Sequence, residues 1–294
     1  MPGKQLNGQV IAAFGRHYLI ETNSGEVVRC SPRGKRSTVA CGDRVLIEMT
    51  GDREGVIEAT DPRSSLFMRA AEHRQKIIAA NVTQVVIVVA GVPSFSDELI
   101  ARALVAAEHQ SLQAIIALNK ADLMEATAAA HERLKPFERA GYRVIELSAK
   151  RNVAVLVEAL QGHTTVLLGQ SGMGKSTIVN TIVPEADAAT REISTFLDSG
   201  RHTTTNARLY RLGPDTSLID CPGLQEFGLA HLTADEIEHG FIEMRPFRGQ
   251  CQFRDCRHLS EPDCAVRAAV ERGALDPRRI ELLHRILAAP SGGG

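Results

Sequence analysis

Residues Gly169-Gln170-Ser171-Gly172-Met173-Gly174-Lys175-Ser176, continued by Thr177, have the spacing G-x-x-x-x-G-K-S, and those residue types suit one task, gripping phosphate. Glycines let backbone N–H groups turn inward around an anion, and a helix that opens at Lys175 adds the partial positive charge of its N-terminus. The Lys175 ammonium is expected to reach the β- and γ-phosphates and to act in catalysis, with the Ser176 hydroxyl on Mg²⁺. A Gly-rich turn could match this spacing by chance. The apolar run Thr165–Leu168 before it and the helical stretch Lys175–Val183 after it supply the strand–loop–helix setting that a chance match lacks.

The choice of base is carried by Asn119-Lys120-Ala121-Asp122, which ends the apolar run Ala114–Leu118. The Asp122 carboxylate can accept from both N1–H and the 2-amino group of guanine. Adenine offers an acceptor at N1 and no 2-amino group, so it would leave that carboxylate unpaired, which is how a site rejects an analogue strongly. Asn119 is expected to hold the loop, and the Lys120 stem to cover the base. A second guanine element, Ser148-Ala149-Lys150, again follows a strand-like run, Arg143–Leu147. Each short motif alone occurs often at exposed helix starts; it is the combination with the phosphate loop that points to GTP.

Two further segments suit the γ-phosphate. Asp220-Cys221-Pro222-Gly223 has the form D-x-P-G, with Asp220 expected to hold Mg²⁺ through water and the Gly223 N–H to meet phosphate. Between it and the phosphate loop lies Gly200-Arg201-His202-Thr203-Thr204-Thr205, from which Thr204 is expected to complete the Mg²⁺ shell. A segment ordered by γ-phosphate and Mg²⁺, and released on hydrolysis, is a switch; the bland reading is a Thr-rich loop beside a Pro-Gly turn. Leu224 stands where many small GTPases carry a water-orienting glutamine, so slow intrinsic hydrolysis is expected, with His202 as the catalytic residue that positions the water once a partner orders the site; the alternative is that His202 is an exposed loop residue only.

Cys251, Cys256, His258 and Cys264 form C-x4-C-x-H-x5-C. Three thiolates and one imidazole make a closed set for a structural zinc, with no open position for chemistry. Cys30, Cys41 and Cys221 have no such neighbours in the chain and read as ordinary thiols.

The elements that must position these groups fall in three regions. Residues 1–62 read as short strands (Gln9–Ala13, His17–Glu21, Val27–Cys30, Arg44–Met49, Gly55–Glu58) broken by Asn23-Ser24-Gly25, Pro32-Arg33-Gly34 and Gly42-Asp43, the pattern of a five-stranded OB barrel. Residues 63–230 alternate apolar strand runs with the helical stretches Ser96–Gln110 and Thr127–Ala140, the mark of an α/β domain with a mostly parallel sheet. Residues 231–294 read as helical around the metal knot: Thr233–Glu243, with Thr233 and Glu236 as a capping box, then Cys264–Arg272 and Asp276–Leu287. The motifs run Asn119–Asp122, Ser148–Lys150, Gly169–Ser176, Arg201–Thr205, Asp220–Gly223. That is the usual GTPase order cut after the second switch, a circular permutation that a compact fold with neighbouring ends tolerates. The fold class expected is therefore multidomain α/β: an N-terminal OB-fold barrel, a circularly permuted P-loop GTPase domain and a C-terminal helical zinc-binding domain.

Composition limits the function classes. The 294 residues are 44% hydrophobic but only 4% aromatic, with no Trp, and the net charge is −1. Bulk charge does not announce a nucleic-acid binder, so RNA contact has to rest on local patches. Candidates are Arg29, Arg33, Lys35 and Arg36 on the barrel, Arg245, Arg248, Arg254 and Arg257 around the knot, and Arg69, Arg74 and Lys76, with Phe14 or Tyr18 available for base stacking. The first residues have no apolar leader and Val85–Ala90 is too short to span a bilayer, so a cytoplasmic, membrane-free protein is expected, and nothing in the sequence demands more than a monomer.

Taken together, the phosphate loop, G-R-H-T-T-T, D-C-P-G, C-Q-F-R-D-C-R-H and E-P-D-C-A-V, in this permuted order and after Arg33–Arg36 and Gly42-Asp43, resemble the ribosome small-subunit-dependent GTPase A family (RsgA, also called YjeQ). The resemblance implies late maturation of the small ribosomal subunit with subunit-stimulated hydrolysis of GTP to GDP. It also implies rRNA and other assembly factors as partners, zinc on Cys251, Cys256, His258 and Cys264, and Mg²⁺ with GTP. Two rival readings are a GTP-gated RNA-binding adaptor whose turnover is incidental and a P-loop kinase or ATPase acting on a small molecule, against which Asn119–Asp122 speaks.

Overall fold

A computed structural model of the chain describes residues 4–34, 38–71, 74–184, 186, 207–221 and 227–288. Five strands, β1 (Gln5–Phe14), β2 (His17–Thr22), β3 (Val27–Pro32), β4 (Arg44–Gly51) and β5 (Glu54–Thr60), close into a barrel in the order 1-2-3-5-4-1. All its pairings are antiparallel except β3 with β5. The alternating apolar residues of these strands turn inward, so Val10, Tyr18, Ile20, Val28, Val45, Ile47 and Ile57 form a core of their own. This is the barrel that the sequence led us to expect, with longer strands.

A two-stranded hairpin follows, β6 (Leu66–Ala71) and β7 (Arg74–Ala80), which sequence reading does not reveal. The α/β region then lays down β8 (Gln84–Ala90), α1 (Asp97–His109), β9 (Gln113–Asn119), α2 (Met124–Arg139), β10 (Arg143–Glu146), α3 (Ala154–Leu160), β11 (Thr164–Leu168), α4 (Lys175–Ile182), β12 (Arg208–Arg211) and β13 (Ser217–Asp220). Its sheet order is β10-β9-β8-β11-β13-β12, parallel except at β12. Every residue of β8 is buried, as a parallel strand covered on both faces requires. At the N-terminal edge a polar chain is satisfied internally: Thr165 Oγ1 donates to Gln84 Oε1 (2.8 Å), and Gln84 Nε2 donates to Gln113 Oε1 (3.0 Å) and Ala159 O (2.9 Å). The opposite, C-terminal edge is the one at which open α/β sheets generally bind ligands. β12 also pairs with β1 at Ala12↔Arg208, so barrel and α/β sheet are continuous.

The C-terminal part holds α5 (Ala234–His239), a 3-10 helix (Ile242–Phe247), α6 (Ala265–Glu271) and α7 (Pro277–Ala288). The capping box of Thr233 and Glu236 forms as expected. The helix does not run to Glu243. It breaks at Gly240, which packs so tightly on Val105 of α1 that a Cβ would lie 2.8 Å from Val105 Cγ1. α7 lies across α1 and α2, and its fully buried Arg279 (1% exposed) sits between the rings of Phe137 (4.8 Å) and Phe241 (4.6 Å) while bonding Glu243 at 2.5 Å. Among the described residues no helix is long and apolar enough to cross a membrane.

Candidate nucleotide site and metal centre

The phosphate loop leaves the C-terminal end of β11 and enters α4. Gly174 ends it at φ 93°, a left-handed value that favours glycine, and a Cβ there would strike the Asn119 amide nitrogen. Lys175 is the first residue of α4 and is buried. Its Nζ donates to Gly169 O (2.6 Å) and Gln170 O (3.1 Å), carbonyls of its own loop. Burial lowers its pKa, while Asp220 and Cys221 act in the other direction. Asp220, at the end of β13 and in register with Leu167 of β11, has its carboxyl pushed up to about 6 by burial, against the pull of Lys175. Ser176 and Thr177 stand exposed on the first turn of the helix.

On the base side, Asn119 is 1% exposed and joins two loops. Its Nδ2 donates to Met173 O (2.9 Å), and its Oδ1 accepts from the Ala149 N–H (3.0 Å). Thr181 of α4 adds a bond to Ala149 O (2.9 Å). Lys120 takes φ 64° and its Nζ donates to Val92 O (2.8 Å) and Gly172 O (2.7 Å), so its stem lies along the phosphate loop. The Ser148 hydroxyl donates to Asp122 Oδ1 at 2.6 Å, and this bond holds the Asp122 carboxyl below its ordinary pKa. An ionised carboxylate is what an amide-bearing base edge needs. Lys150 is exposed at the rim.

The four knot residues converge too: one ligand atom from each of Cys251, Cys256, His258 and Cys264 lies within 4.8 Å of the others. His258 Nδ1 faces the sulfurs of Cys251 (3.6 Å), Cys256 (3.5 Å) and Cys264 (3.2 Å). Its other nitrogen, Nε2, meets Glu238 of α5 at 3.4 Å. A carboxylate behind a histidine fixes which ring nitrogen faces a metal. Cys264 also accepts the Arg267 N–H as the N-cap of α6, and His258 is held at φ 61°, a conformation that costs an L residue about 1–2 kcal/mol. Such a set can hold one small cation.

The family model described as RsgA GTPase matches residues 60–230. This chain belongs to the RsgA GTPase family. It is 49% identical over 284 residues to the "Small ribosomal subunit biogenesis GTPase RsgA" of Nitrosospira multiformis, covering 97% of this chain and 91% of that one. The Nitrosomonas europaea protein of the same name is 50% identical over 97% of this chain and 92% of its own length. Among solved structures, YjeQ from Thermotoga maritima superposes with a TM-score of 0.74 at 29% identity, covering 97% of this chain and 99% of that one. YloQ, titled a circularly permuted GTPase, gives 0.69 at 28%, covering 97% and 96%.

In this RsgA family member the described motif residues gather at one edge of the sheet, but not every expectation is met. His202, Thr204 and Gly223 lie outside the described residues, as do Lys35 and Arg36. Tyr18 is 3% exposed in the barrel core and cannot stack on a base; Phe14 is half-buried. Arg33 is ion-paired with Glu48 (3.3 Å) and Glu58 (2.6 Å), Arg245 with Glu108 (2.7 Å), and Arg248 with Asp235. The charge expected for RNA around the knot thus falls chiefly to the exposed Arg254 and Arg257. Glu238 escaped sequence reading because nothing in its local spacing ties it to His258. The contacts of Gln170 escaped it for the same reason.

Proposed function

We propose that this chain binds GTP with Mg²⁺ at the C-terminal edge of β8, β9, β11 and β13 and hydrolyses it while assisting biogenesis of the small ribosomal subunit, which stimulates turnover. The observation that carries the reading is Asn119, whose one buried amide ties the phosphate loop to the Ser148–Lys150 loop and so builds the triphosphate and base halves as one unit. In it, Asp122 reads guanine with Ser148 steadying the carboxylate, and Lys120 flanks the base. The amides of Gly169 to Ser176 and the Lys175 ammonium take phosphate in place of the lysine's present carbonyl partners. Ser176 and Asp220 hold Mg²⁺, joined by Thr204, and His202 orients the attacking water. The relatives' names support the subunit as partner and GTP as substrate.

The knot reads as a structural zinc site. Zinc bonds of about 2.3 Å to sulfur and about 2.0 Å to nitrogen imply tetrahedral edges of about 3.8 Å between sulfurs and about 3.5 Å between sulfur and nitrogen. The Cys251–Cys264 separation of 3.9 Å and the His258 distances of 3.2–3.6 Å fit those edges. Boundaries near residues 62 and 230 divide the chain into barrel, nucleotide domain and zinc domain.

The deciding experiment is GTP turnover with and without purified small subunits, run beside ATP. Stimulation by subunits and discrimination against ATP are expected; equal use of ATP would return the chain to the kinase or ATPase class. Subunit affinity that differs between GDP and a non-hydrolysable analogue, with no acceleration of hydrolysis by subunits, would favour the adaptor.

A further inference from the structure

Arg133 lies on α2 and belongs to none of the nucleotide motifs, yet its guanidinium is spent on one short segment at the end of β8. It donates to Ser94 Oγ at 2.8 Å, to Phe95 O at 2.9 Å and to Asp97 Oδ1 at 2.9 Å. Its central carbon stands 4.1 Å from the centre of the buried Phe95 ring. A planar fork that bonds and stacks at once is an arrangement lysine cannot reproduce. The ion pair with Asp97 is more than one-third exposed on both sides and contributes little. The bonds to Ser94 and the Phe95 carbonyl, with the ring contact, are what fix the segment.

That segment touches the phosphate loop twice. The Ser96 N–H donates to Gln170 Oε1 at 2.8 Å. Pro93 backs Gly172 so closely that a Cβ on the glycine would lie 3.1 Å from Pro93 Cγ. Ser96 is itself pinned as N-cap of α1, its hydroxyl accepting from the Leu99 N–H at 3.2 Å. Gln170, the residue so held, presents the carbonyl that accepts from Lys175 Nζ. A chain of direct contacts therefore runs from Arg133 through 94–96 to the loop that takes phosphate.

We propose that Arg133 is a positioning residue for nucleotide affinity, clamping the segment 94–97 that in turn braces the phosphate loop through Gln170 and Gly172. This rests on the GTP reading of that loop. Bracing pre-organises the inward-facing amides; without it, binding has to order them first, and affinity falls by that cost. The chemical step is left alone, because Arg133 touches no reacting atom.

The test uses the full chain as Arg133→Ala, Arg133→Lys, Gln170→Ala and the Arg133→Ala/Gln170→Ala double variant, with Lys175→Ala as control. Three quantities are read: release of a fluorescent GDP analogue, KM against kcat for GTP, and Tm. Arg133→Ala is expected to speed release and raise KM about tenfold, the scale of one lost charged hydrogen bond, with kcat within about twofold. Arg133→Lys should recover little, and Gln170→Ala should move the same parameters in the same direction. The double variant should be no worse than the worse single, since both cut one strap. Wild-type release and KM in Arg133→Ala, or fold-changes that multiply in the double variant, would overturn the proposal. If Arg133→Ala does not fold, Arg133→Lys and Gln170→Ala decide by the same criteria. A wild-type chain that fails to bind GTP, or a Lys175→Ala chain that binds it normally, would instead strike the GTP reading itself.

Discussion

Asp220 offers a test with a sign and a size. Burial raises its carboxyl from 3.8 to about 6. For an acid whose folded pKa lies above its unfolded one, stability is fully present below the unfolded value and is lost as pH rises through the folded value. The loss should therefore begin near pH 4 and be complete above about pH 6. At 1.36 kcal/mol per pKa unit, it amounts to about 3 kcal/mol at pH 8. Asp220→Asn removes the buried charge. It also leaves Lys175 without its counter-charge, so a net gain of about 2 kcal/mol is expected, or about 4–8 °C in Tm for a domain of this size. The assay is a pair of melting curves, wild type and Asp220→Asn, in buffer without Mg²⁺ or nucleotide at pH 8 and pH 4.5. The variant should melt higher at pH 8, with most of the difference gone at pH 4.5. Adding Mg²⁺ and GTP should stabilise the wild type more than the variant. A variant that melts below wild type at pH 8, or an advantage that does not depend on pH, would refute the reasoning that Asp220 is a buried charge awaiting a cation.

Other outcomes follow from the same geometry. Asp122→Ala should weaken GTP at least about hundredfold in a competition titration while leaving ATP as weak as before, because the base edge loses a charged acceptor. A strong chelator at neutral pH should lower Tm and the helical signal together, since Cys264, one of the four residues proposed to hold zinc, is also the N-cap of α6; Glu238→Gln should weaken zinc about 10–100-fold in a chelator competition without unfolding the chain. Arg279→Ala strands Glu243, 10% exposed, in the interior and should cost about 3–5 kcal/mol by denaturant melting, whereas Arg279→Met with Glu243→Leu should recover most of it. A single alanine that melts like wild type would show the pair to be superfluous.

What could be read from the sequence was what local spacing determines. A phosphate loop, a guanine motif and a Cys/His knot are each set by residues a few positions apart, and the alternation of apolar runs names strands whose two faces differ. The hairpin β6–β7 was missed because its strands lie among charged and polar residues without a clean alternation. α3 was missed because the stretch Ala154–Leu160 is short and has no side-chain N-cap. The break at Gly240 depends on Val105 of a distant helix, and no property of Thr233–Glu243 itself announces it. Glu238 behind His258, and Arg133 behind Gln170, are tertiary pairings that topology alone creates.

The permuted motif order can be read along the chain, and with it the expectation that the second switch leads directly into the C-terminal region; what its continuation packs against cannot. With the usual order cut after Asp220–Gly223, the chain continues in sequence to Phe227, whose ring lies 5.6 Å from Phe67 on the hairpin between barrel and sheet. The stretch that carries His202 and Thr204 leads into β12, and β12 is claimed on both sides. Arg208 stands opposite Asp220 on β13 and opposite Ala12 on the barrel, while Arg211 bonds Glu21 (2.8 Å) and Gln9 (2.7 Å) of the barrel. The described residues that follow the two proposed γ-phosphate segments are thus fastened to parts of the molecule outside the parallel sheet. In an unpermuted chain the continuation of the second segment would return into the sheet. Here it runs on toward residues 231–294, and the packing of Phe227 on Phe67 first fastens it to the hairpin.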